Sequence, residues 1–292
     1  MKNFENICKM SQGKLKAYLT KYLKRHYNYV KSSDGFLYAK GTFPVLLVAH
    51  MDTVHKDAVQ QVIYEGNIIS SPQGIGGDDR CGIAMILEIL KTYNCSVLFT
   101  EDEEIGCVGA TKFVKEYEKG NIDMPRINYI IELDRKGSTD AVFYQCDNPD
   151  FTDFILQDEE WELEYGSYTD IVEISPILGV AAVNFSCGYY NAHTTKEYVN
   201  LDEMEASVEK VKKLLARTTD NDYFEYIEAK YQYNKFWSSA DDEEIYYISA
   251  YGQKGNYIED EVYATSEAEA IGYFLIDNDD VCFNDIIDVI RE

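Results

Sequence analysis

A chain of 292 residues, 46% of them hydrophobic and only 5 of them Pro, can bury a substantial core and has room for one large domain or a medium domain with a small appendage. Its formal net charge, 27 − 52 = −25, opposes association with a phosphate backbone and argues against a nucleic-acid partner. No apolar run is long enough to span a bilayer, and the opening Met-Lys-Asn-Phe-Glu-Asn-Ile lacks the features of a signal peptide, so the chain reads as a cytoplasmic protein without a membrane partner.

The charge is uneven. Residues 1–40 carry nine Lys/Arg against Glu5 and Asp34, net +7, whereas residues 221–292 carry four against eighteen acids, net −14. Two solvated faces explain this, and so does a docking contact between the basic start and the acidic end. The seven cysteines, at 8, 81, 95, 107, 146, 187 and 282, are odd in number and contain no Cys-x-x-Cys pair, which argues against a disulfide framework and against a thiolate zinc site.

In chain order, the apolar spacing of Phe4, Ile7, Leu15, Leu19 and Leu23 predicts one or two amphipathic helices over residues 3–25. Tyr27–Val30 and Phe36–Ala39 flank an Asp34-Gly35 turn signal and predict a hairpin. The run Val45-Leu-Leu-Val-Ala49 predicts a buried strand, and it ends in His50-x-Asp52, two polar groups on the same side of an extended backbone. Taken alone, that pair is either a metal ligand with its support or a strand-end histidine bonded to a carboxylate.

A second hairpin is expected from Val59–Tyr64 and Ile68–Ser70. It leads to Gly74-Ile-Gly-Gly-Asp-Asp-Arg-Cys-Gly82 and a helix over Ile83–Lys91, which puts Asp78 and Asp79 at a helix N-terminus, as ligands or as an N-cap. The strand Ser96–Thr100 runs into Glu101-Asp-Glu-Glu-Ile-Gly106 ahead of a helix from Cys107 to Lys119. Four consecutive acids at such a junction repel one another, and they call for a cation or a solvated loop. Ile127–Leu133 is a third apolar strand, ending in Asp134, and Gly179–Phe185 a fourth, leading to His193 ahead of a helix over Leu201–Leu215.

Gly166-Ser-Tyr-Thr-Asp170 reads as a polar turn that could touch substrate. Beyond residue 220 the chain becomes acidic and rich in tyrosine, with strands expected at Ile245–Ala250 and Glu261–Ala264, a turn at Gly252–Gly255, and a helix Ser266–Leu275 capped by Ser266. Apolar strands that each end in a carboxylate or histidine, with helices between, describe an open α/β sheet whose crevice lies beyond the strand ends.

His50-Met-Asp52, Gly77-Asp78-Asp79-Arg-x-Gly82, Glu103-Glu104-Ile-Gly106, Asp134 and His193, in that order, resemble the co-catalytic zinc exopeptidases: the tripeptidase T-like and aminoacylase/carboxypeptidase families and the single-domain zinc aminopeptidases. The resemblance covers roughly residues 27–218. It implies a three-layer α/β/α sandwich around a mixed, largely parallel sheet, with a small α+β appendage at the C-terminal end. It also implies two divalent ions, zinc first, with cobalt or manganese as substitutes. Asp78 would bridge them, His50 and Asp134 would complete one sphere, and Glu104 and His193 the other; the choice of Asp78 over Asp79 rests on counting to Gly82. Asp52 would orient His50, and Glu103 would be the general base acting on a metal-bridged water. His55 would be a bystander or an outer pocket residue.

The two-domain members carry a long inserted domain between the equivalents of Asp134 and His193. Residues 135–192 leave only 58 positions for it, so residues 1–219 are expected to form a catalytic domain without a lid, and residues 220–292 an acidic appendage. The expected function is a metallopeptidase, an aminopeptidase on short peptides. The alternatives are a deacylase of N-acyl amino acids or similar small amides, and a metal-binding interaction module without turnover. Self-association into a homo-oligomer stays open.

Overall fold

The amphipathic N-terminal stretch forms two helices, α1 (Phe4–Cys8) and α2 (Gln12–His26), the second burying Leu15, Leu19 and Leu23 at four-residue spacing. A hairpin follows, β1 (Val30–Ser33) and β2 (Phe36–Ala39), paired so that Ser33 faces Phe36 and Asp34-Gly35 makes the turn. It starts three residues later than Tyr27, because α2 continues to His26. Then come β3 (Phe43–His50), the short hairpin β4 (Ile63–Glu65) and β5 (Ile68–Ser70), α3 (Gly77–Ile89), β6 (Cys95–Thr100), α4 (Val108–Glu118) and β7 (Tyr129–Arg135). The stretch from 140 to 178, where the sequence shows no clear period, forms β8 (Asp140–Val142), α5 (Pro149–Leu156), β9 (Glu162–Glu164) and α6 (Asp170–Leu178). β10 (Ala182–Ser186), β11 (Tyr189–Tyr190), β12 (Tyr198–Asn200) and α7 (Leu201–Arg217) complete the series up to residue 217.

The computed structural model describes residues 3–56, 58–166, 168–229, 244–252, 256–264, 270–271, 274, 278, 281 and 286–291. They belong to two units, Met1–Ala229 and Lys230–Glu292. The first is an eight-stranded mixed sheet in the order β1-β2-β6-β3-β7-β10-β8-β9. Its centre, β6-β3-β7-β10, is parallel throughout. A separate four-stranded sheet has the order β11-β12-β5-β4.

Period-two alternation along the central strands builds the layers. Val45, Leu47 and Ala49 of β3, with Tyr129, Ile131 and Leu133 of β7, pack into one core with α1, α2, α3 and α7. Leu46 and Val48, with Ile130, pack into the other with Phe113 of α4 and Ile171 and Ile174 of α6. The result is the three-layer α/β/α sandwich that the resemblance implies.

The division between units falls at Ala229 rather than at 219, because Val180 bridges Glu225, Cys146 bridges Glu228, and Phe224 packs against Phe151 and Phe154. The second unit is a small antiparallel sheet, β13 (Glu244–Tyr251) between β14 (Tyr257–Ala264) and β15 (Ile286–Arg291), with its own core of Tyr246, Ile248, Ala250, Ala270, Phe274 and Val281. The expected turn Gly252–Gly255 and helix Ser266–Leu275 lie largely outside the described residues. No helix among the described residues is long and apolar enough to cross a membrane.

The layer under α4 depends on Phe113, which is fully buried and meets Phe36 edge-on at 5.4 Å. Phe113→Ala is expected to cost about 3–5 kcal/mol, read as a lower urea midpoint at unchanged slope.

Candidate metal centre

The two rows of alternating side chains that face α4 and α6 do not end apolar. On β3 the row Leu46, Val48 continues to His50, and on the adjacent β7 the row Ile130, Glu132 continues to Asp134, with Leu46 opposite Ile130 and Val48 opposite Glu132. Parallel register therefore carries His50 and Asp134 to the same sheet edge, where His50 Nε2 is 3.5 Å from Asp134 Oδ1. Asp134 belongs to the strand itself. Its amide donates to Asn184 Oδ1 (2.9 Å), and Tyr189 Oη donates to its carbonyl (3.2 Å).

Asp78 enters from the start of α3. Oδ1 lies 2.9 Å from His50 Nε2, and Oδ2 lies 3.1 Å from His193 Nε2, which in turn is 3.1 Å from Glu104 Oε2. One carboxylate thus faces two donor sets, His50–Asp78–Asp134 and Asp78–Glu104–His193, each with its donor atoms within 4.8 Å of one another.

Asp79 turns the other way. Its Oδ2 accepts from the His50 amide (3.2 Å) and its Oδ1 from the Gly82 amide (2.8 Å). Both residues have a non-helical backbone within the first turn of α3, and the peptide between them is cis. Gly82 is required because a Cβ there would sit 1.7 Å from the Leu133 carbonyl oxygen.

The four-acid run divides its load. Glu101 pairs with Lys16 and accepts from the Gly35 amide (3.0 Å), and Asp102 accepts from Gln12 Nε2 (3.2 Å), so only Glu103 and Glu104 turn to the centre. Asp52 holds them there. It accepts from the amides of Glu103 and Glu104, both at 3.1 Å, while its Oδ1 is 3.3 Å from His50 Nδ1. Glu103 belongs to neither donor set, and Cys107 Sγ lies 3.6 Å from its Oε1.

So many acids in one buried place shift one another. Burial, with the Asp134, Asp170 and Glu104 carboxylates, pushes Glu103 up to about 9 against the pull of His50. Burial and the Asp78 carboxylate push Asp134 up to about 7. Burial would raise Asp78 too, but hydrogen bonds to His193 and His50 outweigh it and hold its carboxyl well below the usual range. Hydrogen bonds to Asp78 and Glu104 raise His193 to about 10.

The donor set fits a pair of divalent ions better than it fits an apolar ligand. Two imidazoles and three carboxylates converge, and Glu104 Oε1 is buried with no hydrogen-bond partner among the described residues.

Three further acids support the site, and of these only Asp170 falls in a stretch singled out from the sequence, the polar turn Gly166–Asp170. Glu132, on the apolar strand β7, is buried and accepts from the Thr169 hydroxyl (2.8 Å); that hydroxyl also lies 3.4 Å from Asp134 Oδ2, so the turn before α6 packs behind Asp134. Asp170 is fully buried, accepts from the Thr100 hydroxyl, and keeps Oδ1 unpartnered among the described residues. Glu197, with His55 2.8 Å away, sits behind Asp78. An acid within a core strand is a signal that could have singled out Glu132; Asp170 and Glu197 resemble ordinary helix-start and loop acids.

The sequence profile described as Peptidase family M28 matches residues 37–169, a span that includes His50, Asp78, Glu103, Glu104 and Asp134. Three of the solved structures that share the fold are peptidases by description. An aminopeptidase PepT from Bacillus cereus aligns with a TM-score of 0.59 at 15% identity, over 73% of this chain and 96% of that one. A tripeptidase from Staphylococcus aureus aligns at 0.57 and 13%, over 74% and 98%. An aminopeptidase from the archaeon Desulfurococcus kamchatkensis aligns at 0.57 and 14%, over 75% and 94%. The first unit has the fold of these peptidases. No curated protein matches the sequence.

Within this unit Asp52 satisfies two backbone amides and one ring nitrogen at once. Asp52→Ala is expected to cost about 1.5–3 kcal/mol in chelator-treated protein, measured by urea unfolding; an unchanged midpoint would show that the Glu103–Glu104 loop holds itself.

Proposed function

We propose that the first unit is a metal-dependent hydrolase of amide bonds, an aminopeptidase acting on short peptides. The observation that carries this reading is the position of Asp78 between two histidine-containing donor sets, with Glu103 beside them and taken up by neither. His50, Asp78 and Asp134 would hold one divalent ion, and Asp78, Glu104 and His193 the other, zinc in the first instance. When bound, such ions supply Lewis acidity to the scissile carbonyl and make water a stronger acid.

The chain's own residues do the rest. Glu103 takes the proton of the attacking water and returns it to the leaving nitrogen, so the base of the first step is the acid of the second. Asp52 orients His50 through Nδ1, leaving Nε2 turned to Asp78, and it fixes the Glu103–Glu104 backbone relative to that ring. The family match over residues 37–169, and the peptidases of like fold, support peptides as the substrate class.

Treatment with a chelator is expected to abolish hydrolysis of aminoacyl amides, di- and tripeptides, and zinc or cobalt to restore it, in a panel that also contains N-acyl amino acids. Turnover of the acylated compounds alone would replace the aminopeptidase by a deacylase, and stoichiometric metal without turnover on any of them would leave a binding module. Glu103→Ala is expected to lower kcat by about 10²–10⁴ or more while zinc uptake stays at the wild-type stoichiometry. Full activity in that variant would sink the assignment of the base.

A further inference from the structure

Four residues after His193 the chain turns inward, and Glu197 is 0% exposed. A carboxylate in such a place requires partners, and it has three. Its Oε2 accepts from the Gly76 amide at 2.8 Å, its Oε1 accepts from the Asp78 amide at 3.0 Å, and His55 Nε2 lies 2.8 Å from Oε2. The partners come from two different loops, one that leaves β3 after His50 and one that opens α3.

The glycines of that second loop make room for this arrangement. A Cβ on Gly77 would stand 2.8 Å from both Tyr189 Cβ and Val199 Cγ2 and 3.2 Å from Glu197 Oε1. A Cβ on Gly74 would stand 2.2 Å from the His55 ring. The backbone of the turn is therefore pressed onto Glu197 and His55, and side chains there would drive it away.

We infer that Glu197 is a positioning residue for Asp78, fixing the peptide that carries the shared carboxylate relative to the segment that carries His193. The inference rests on the two-metal reading of the centre and deepens it. The His50 side of the centre is tied to Asp78 directly, through Nε2, and again through Glu197 by way of His55. The His193 side shares a short segment with Glu197, so one buried carboxylate sets the separation between the two donor sets. Glutamine in its place keeps one acceptor oxygen, but turns an amide N–H₂ toward a backbone donor, so one of the two grips on the loop is lost. Alanine loses both and leaves the His55 ring without its acid.

The test is zinc affinity, read without turnover. Chelator-stripped wild type, Glu197→Gln and Glu197→Ala are titrated with zinc against a competing chromophoric chelator, after circular dichroism has shown that each is folded at the assay temperature. Weakening by about tenfold in Glu197→Gln and about a hundredfold in Glu197→Ala is expected, the range found when a group behind a metal ligand is removed. The cobalt absorption spectrum is expected to change in the same order. A merely structural role would lower the melting temperature of the stripped protein and leave the zinc affinity of the folded fraction untouched. If Glu197→Ala does not fold, Glu197→Gln decides alone, because it keeps size and shape. Variants that bind zinc within twofold of wild type overturn the inference while the two-metal reading stands; wild type that takes up no zinc overturns both.

Discussion

Everything at the open edge of the sheet depends on one carboxylate being shared. Asp78 puts one oxygen against His50 and the other against His193, and through them it gathers Asp134 and Glu104. Without the imidazoles, these three acids and Glu103, so close together in a poorly solvated place, would repel, and burial alone would leave most of them protonated. With the imidazoles, Asp78 stays ionised while Asp134 and Glu103 are pushed up. The centre is thus electrostatically unsettled in a definite direction: positive charge added between the donor sets relieves it.

That sharing demands precision, and three buried acids deliver it in the same way. Asp52 accepts from the amides of Glu103 and Glu104, Asp79 from those of His50 and Gly82, and Glu197 from those of Gly76 and Asp78. Each grips backbone that carries a donor on a loop other than its own, or links such a loop to its own. A carboxylate accepting two amides is geometrically stricter than a side chain packed in a pocket, because both its oxygens are committed. The loops at strand ends, ordinarily the loosest part of an α/β fold, are tied to one another and, through Asp79, to the last residue of β3.

Much of the framework could be read from the sequence, because periodicity and turn chemistry are local. Val45–Ala49 shows its strand by composition, Asp34-Gly35 shows its hairpin, and Leu15, Leu19 and Leu23 show their helix face. What escaped is what local pattern does not encode. The stretch 140–178 mixes acids and aromatics because β9, the edge strand, is exposed along its whole length, while α6 hides an acid, Asp170, at its first position. Residues 220–229 look like the start of the acidic appendage by composition, yet Phe224 and Glu225 find their partners in the first unit.

The site divides along the same line. The residues that converge as donors could be proposed because their motifs, in order, resemble those of the co-catalytic zinc exopeptidases; local pattern alone placed His50, Glu104 and Asp134 after apolar strands and Asp78 in a glycine-rich turn, and left their roles open. The residues that hold the donors could not, because Glu197 and Asp78 are 119 positions apart and nothing in either neighbourhood announces the other. Nor does residue type separate the two kinds. Asp78 and Asp79 are neighbours with the same side chain at the same helix start, and one faces two histidines while the other clasps two amides. Only backbone direction distinguishes them, and that direction is set by contacts from β3, β7 and the loop after His193. In a site built from acids, His50 and Asp134 are placed by where their strands end, and the supports by which amides are left needing an acceptor once those strands are assembled.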